Sequence, residues 1–154
     1  MLASLKLIDL VEFKAETIAK QWARDVRQNK YTPSYHNKPE NKLIPQAVQF
    51  YDNFRRIIMT KNPSQESCEF FTKYAEERYR EGLPLQEALY ALILMRRHIW
   101  LYAEFQAIFT TATEKQQAVD SLTRTILMFD YATYFISNRY RELMKLEWFE
   151  CANT

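Results

Sequence analysis

Glu81-Gly82-Leu83-Pro84-Leu85-Gln86-Glu87-Ala88-Leu89-Tyr90-Ala91-Leu92-Ile93-Leu94-Met95-Arg96-Arg97-His98-Ile99-Trp100-Leu101-Tyr102-Ala103-Glu104-Phe105-Gln106 contains the only glycine of a 154-residue chain. Gly82 reads as the left-handed residue that closes one helix. Pro84 suits the first turn of the next, where its missing N–H costs nothing. The helix that follows is apolar nearly all round, so it belongs inside a bundle. A chain with one glycine cannot be built from tight hairpins, which need positive φ. The expected fold is therefore all-α.

Working outward, apolar spacing predicts five helices in a single domain over residues 1–154. The first spans about Leu7–Gln28, with Val11, Ala15, Ile18, Trp22 and Val26 on its inner face. An irregular segment with Pro33, His36 and Pro39 covers 29–40. The second helix spans about Asn41–Met59. Asn62-Pro63-Ser64 restarts the chain, with Ser64 as the expected cap of a third helix ending at Glu81. The fourth runs to about Phe109. Thr111 and Glu114 form a capping box for a long fifth helix over about 112–148. Its expected core seam is Val119, Leu122, Ile126, Phe129, Thr133, Ile136, Tyr140 and Leu143. A five-helix bundle with a long C-terminal helix results, and a globin-like arrangement is one form of it.

The last two helices each show a second apolar face. On the fourth it is Leu94, Leu101 and Phe105; on the fifth it is Leu127, Tyr131, Tyr134 and Phe135. One face packs the bundle, and another needs a neighbour. A symmetric homodimer is the expected neighbour.

Composition narrows the function. The net charge of +2, with Lys and Arg scattered, gives no footprint for nucleic acid. No apolar run spans a membrane, and no signal segment is evident, so a cytoplasmic chain is expected. The two cysteines, Cys68 and Cys151, lack metal-ligand spacing. Phosphate loops and nucleophile motifs are missing, and Met95 stands where a di-iron site would need Glu before His98. No catalytic residue, metal or cofactor is expected, and the chain reads as a non-enzyme.

Arg96, Arg97, His98 and Tyr102 are the candidate ligand-binding residues. Arg96, with its stem near Leu85 and Leu89, needs a carboxylate partner if buried, and Asp130, Glu76 and Glu77 are the candidates. Otherwise it holds an anionic ligand among tyrosines. His98 would be the cofactor-binding residue only in an alternative reading as a globin-like haem or small-molecule protein. A ligand-free protein–protein adaptor is the other alternative.

Several stretches carry a family resemblance: Gln21-Trp22-Ala23, Phe70-Phe71, Tyr79 to Leu85, Leu92 to Trp100, and Asn138-Arg139-Tyr140-Arg141-Glu142. With them, about Ala15–Met144 resembles the N-terminal sensory domain of RsbT co-antagonist proteins, the RsbRD-like domain also found in front of bacterial histidine kinases. The resemblance implies a dimeric, non-catalytic sensor of bacterial stress signalling. Signal would leave through the last helix to a STAS protein or a kinase. No output domain follows Thr154 here, so the resemblance implies either a stand-alone relative acting on a partner or a fragment.

Overall fold

Gly82 has φ +78° and separates two helices, the conformation expected at a helix end. In the computed structural model, which describes residues 2–105 and 111–154, that turn joins α5 (Pro63–Arg80) to α6 (Leu85–Phe105). Ahead of them lie α1 (Leu2–Phe13), α2 (Ala15–Val26), α3 (Glu40–Asp52) and α4 (Phe54–Met59); α7 (Ala112–Ala152) follows. The described residues form helices and turns without a strand.

The first two expected helices are each broken once. Lys14, at φ −113° and ψ 17°, leaves helical geometry between α1 and α2. Asn53, at φ −94° and ψ 0°, is a turn residue at the edge of the helical region between α3 and α4, and its side chain donates to the Gln49 carbonyl over 2.7 Å. Apolar spacing runs through both breaks, which is why periodicity fuses the segments. Two start signals also shift, the first by two residues and the second by one. Asn62 precedes α5, with Pro63 opening it and Ser64 inside. Pro84 lies just outside α6, its carbonyl accepting from Ala88 N over 3.0 Å. The Thr111–Glu114 capping box forms as expected.

Helix α6 is the central rod. Ala88, Ala91, Leu92, Leu94, Met95, Ile99 and Ala103 are all buried. Aromatic donors from three other helices hold its backbone: Trp22 Nε1 to the Ala91 carbonyl at 2.8 Å, Tyr51 OH to Met95 at 3.0 Å and Tyr74 OH to Ala88 at 2.9 Å. Each is a buried polar group that must find a partner. The 29–40 segment is tied to the same core. Tyr35 and Thr32 are buried, and Ser34 gives both its N–H and its hydroxyl to the buried carboxylate of Glu87, at 2.7 and 2.6 Å.

The 41 residues of α7 extend roughly 60 Å at 1.5 Å per residue. It lies along α5 and also meets α1, α4 and α6. Of its expected lower seam Phe129, Ile136 and Tyr140 are buried, Leu143 is half-buried and Thr133 is exposed. Its upper half is rotated from the expected seam. Ser121, Thr125, Met128 and Ala132 point inward, while Val119 (54% exposed), Leu122 (43%) and Ile126 (48%) point out. Ser121 and Thr125 reach the interior because each hydroxyl bonds back to its own helix, to the Gln117 and Ser121 carbonyls. That gives each hydroxyl an acceptor within its own helix.

Candidate functional site

Arg96, Arg97 and His98 do not converge, and Tyr102 lies one turn beyond His98. Consecutive helical residues diverge by about 100°, and each finds its own surroundings. The Arg96 guanidinium lies 4.7 Å from the centre of the Phe129 ring. Burial, with the neighbouring charge of Arg97 second, lowers its proton affinity. Its expected carboxylates are engaged elsewhere or turned away. Glu76 pairs with Arg139 at 3.0 Å, Glu77 lies by Lys73 and Arg78, and Asp130 is exposed. Among the described residues Arg96 is in no ion pair. An aromatic face takes the carboxylate's place.

Arg97 is exposed and lies against Tyr90. Tyr102 is half-buried. His98 Nε2 lies 2.7 Å from Asp25 Oδ2 and links α6 to α2. Arg96, Arg97 and His98 thus each make a separate contact with the rest of the chain.

The expected second faces divide too. Leu94 is fully buried within its own chain and is not an interface residue. The Phe105 side chain lies outside the described residues. Leu101, Leu127 and Tyr134 are exposed, and Tyr131 and Phe135 are half-buried and stack at 21° with centroids 6.2 Å apart. Tyr131 and Phe135 also line a cleft of about 630 Å³ against the start of α5, near Cys68. Val119, Leu122 and Ile126 are exposed as well, on the same outer side of α7 as Leu127 and Tyr134. Sequence reasoning placed those three in the core, because Ser121 and Thr125 are poorer core candidates than valine, leucine and isoleucine.

A second constellation escaped the sequence reading. Arg78 is 4% exposed. Its Nη2 donates to Glu81 Oε1 at 2.7 Å, and its guanidinium sits 5.1 Å from the centre of the Tyr74 ring. Burial pulls this guanidinium's proton affinity down, but Tyr74, Glu81 and Tyr35 outweigh it and the net direction is up. Tyr74 OH bonds to Ala88 and Tyr140 OH to the Leu83 carbonyl at 3.0 Å, so the cluster clamps both ends of the Gly82 turn. The available signal was the Arg78–Glu81 spacing of three, one turn of helix before a glycine stop.

Among the described residues no group of three or more His, Cys, Asp or Glu is placed to hold a metal. No helix among them is long and apolar enough to cross a membrane. No family model, curated protein or solved structure matches the chain, so the likeness to RsbT co-antagonist sensory domains rests on its motifs alone.

Proposed function

We propose that this chain is a non-enzymatic regulatory module that works by pairing the outer face of α7 with the same face of a second copy. The observation that carries the proposal is the inverted helix face. Over residues 119–127 the large apolar side chains Val119, Leu122, Ile126 and Leu127 point away from the protein's own core while Ser121 and Thr125 point into it. A solvated helix would place them the other way. Such a row needs a cover, and a straight rod is its own complement. About a two-fold axis at its middle, the row of one copy runs antiparallel to the same row of a second copy. Val119, Leu122, Ile126, Leu127 and Tyr134 each expose about half of their surface. At on the order of 100 Å² apiece they supply about 500 Å², the apolar share of the roughly 800 Å² per partner of a stable interface.

In this reading α7 is also the output. It passes from the paired face, along α5, to a projecting end, so a change in pairing shifts a rigid rod rather than a loop. That behaviour accords with a sensor domain acting on a signalling partner such as a STAS protein or a kinase. It equally accords with a ligand-free adaptor. The haem alternative is weaker, since iron on His98 Nε2 would have to displace Asp25.

Light scattering over a range of concentrations tests the proposal. The chain is expected as a dimer, with Leu122→Asp and Ile126→Asp monomeric and still fully helical. A monomeric unaltered chain at high concentration, or a dimer indifferent to both substitutions, would overturn it.

A further inference from the structure

Between α3 and α5 lies a cleft of about 510 Å³, lined by Lys38, Lys42, Gln46, Gln49, Glu77, Arg78 and Glu81 with Pro39 and Pro45. It is separate from the outer face of α7. Two polar atoms on its wall are buried without a hydrogen-bond partner: the Arg78 Nε–H, a donor, and Gln46 Oε1, an acceptor. Buried groups are nearly always satisfied, so an unmet donor and an unmet acceptor on one wall need an explanation.

The charges in the cleft are unevenly used. Glu81 is occupied by Arg78 at 2.7 Å, Lys38 at 3.5 Å and the Gln46 amide at 3.3 Å. Because Gln46 turns its NH₂ toward Glu81, its carbonyl oxygen is left over. Glu77 lies between Lys73 at 3.9 Å and Arg78 at 3.6 Å. Lys42, on the exposed side of α3, is in no ion pair among the described residues. The lining therefore has three cationic side chains against two carboxylates, with the surplus charge at Lys42.

The geometry points to a binding site for a small carboxylate that bears a hydrogen-bond donor on the adjacent carbon, that is, a 2-hydroxy or 2-amino acid. The carboxylate lies between Lys42 and Arg78, drawing the guanidinium edge toward the cleft. The hydroxyl or amine donates to Gln46 Oε1. This assignment does not depend on what covers α7.

The test is amide chemical-shift mapping of the full chain with L-lactate, L-alanine and propionate, three molecules of similar size. Propionate lacks only the donor. Saturable millimolar shifts centred on Lys42, Gln46 and Arg78 are expected with lactate, alanine or both, and about tenfold weaker binding with propionate. Lactate without alanine assigns a hydroxy acid, and the reverse assigns an amino acid. Gln46→Met and Lys42→Ala change side chains at the cleft wall and should leave the amide spectrum otherwise intact. Each is expected to weaken binding about tenfold. No saturable shift with any of the three, equal binding of propionate, or undiminished binding by Gln46→Met would overturn the assignment.

Discussion

The indole N–H of Trp22 on α2 donates to the main-chain carbonyl of Ala91 on α6 across 2.8 Å, and both residues are fully buried. That carbonyl lies inside a continuous helix, so the indole adds a second bond to an acceptor already used by the backbone. Trp22 thereby sets the height of α2 against the central rod. Trp22→Phe keeps an aromatic ring but deletes the donor and leaves a small void. It is expected to cost about 1–3 kcal/mol in urea unfolding. An unchanged midpoint would mean that packing alone sets the register.

Alkaline pH should unfold the protein through its buried phenols. Burial raises Tyr35, Tyr51, Tyr74 and Tyr140, with the nearby Tyr74 adding to the effect at Tyr35 and Tyr140. Tyr74 is pushed up to about 12. The folded state thus holds protons that the unfolded state releases near pH 10. Stability from Tyr74 is complete below about pH 10 and falls by about 1.4 kcal/mol per pH unit as pH rises toward 12. Tyrosinate absorbance should rise in two steps, the second coinciding with loss of helical circular dichroism. A single step that leaves helicity intact would contradict the burial of these rings.

The rotation of α7 makes neighbouring residues respond in opposite ways. Thr125 is buried with its hydroxyl bonded to its own helix, so Thr125→Val is expected to be neutral or stabilising within about 1 kcal/mol. Thr125→Asp would bury a charge and should destabilise by more than about 3 kcal/mol. Ile126→Asp should leave the unfolding of the single chain within about 0.5 kcal/mol, as at other exposed positions. Guanidinium unfolding at low protein concentration measures all three. A reversed order for positions 125 and 126 would restore the seam expected from periodicity.

The His98–Asp25 contact links α6 to α2 at a half-buried position. A double-mutant cycle with His98→Ala and Asp25→Ala should show a coupling of about 1 kcal/mol at neutral pH. Additive effects would mean that the two side chains do not meet in solution.

Gly82 offers a backbone test. A Cβ there meets nothing within 4 Å, so the cost of Gly82→Ala comes from φ +78° alone. About 1–2 kcal/mol is expected from thermal unfolding. A larger loss would point to contacts that the turn does not show.

Local rules account for what was legible in the chain itself. Gly82, Pro63 and the Thr111–Glu114 box mark helix ends because caps depend on residues within one turn. The inner face of α2, with Ile18, Trp22 and Val26, follows from spacing alone since it has one apolar side. Where a helix is apolar on several sides, spacing cannot choose. Leu94 went inside and Leu101 outside according to which neighbours were present, and Val119, Leu122 and Ile126 yielded the core to Ser121 and Thr125. The Arg78 cluster and its cleft draw on α3, α5 and the segment between α2 and α3, which are far apart along the chain. Capping and periodicity act within a turn or two and are written in the residues. Which face is buried, and which polar atoms are left without partners, depends on distant segments brought together, and only the folded chain decides it.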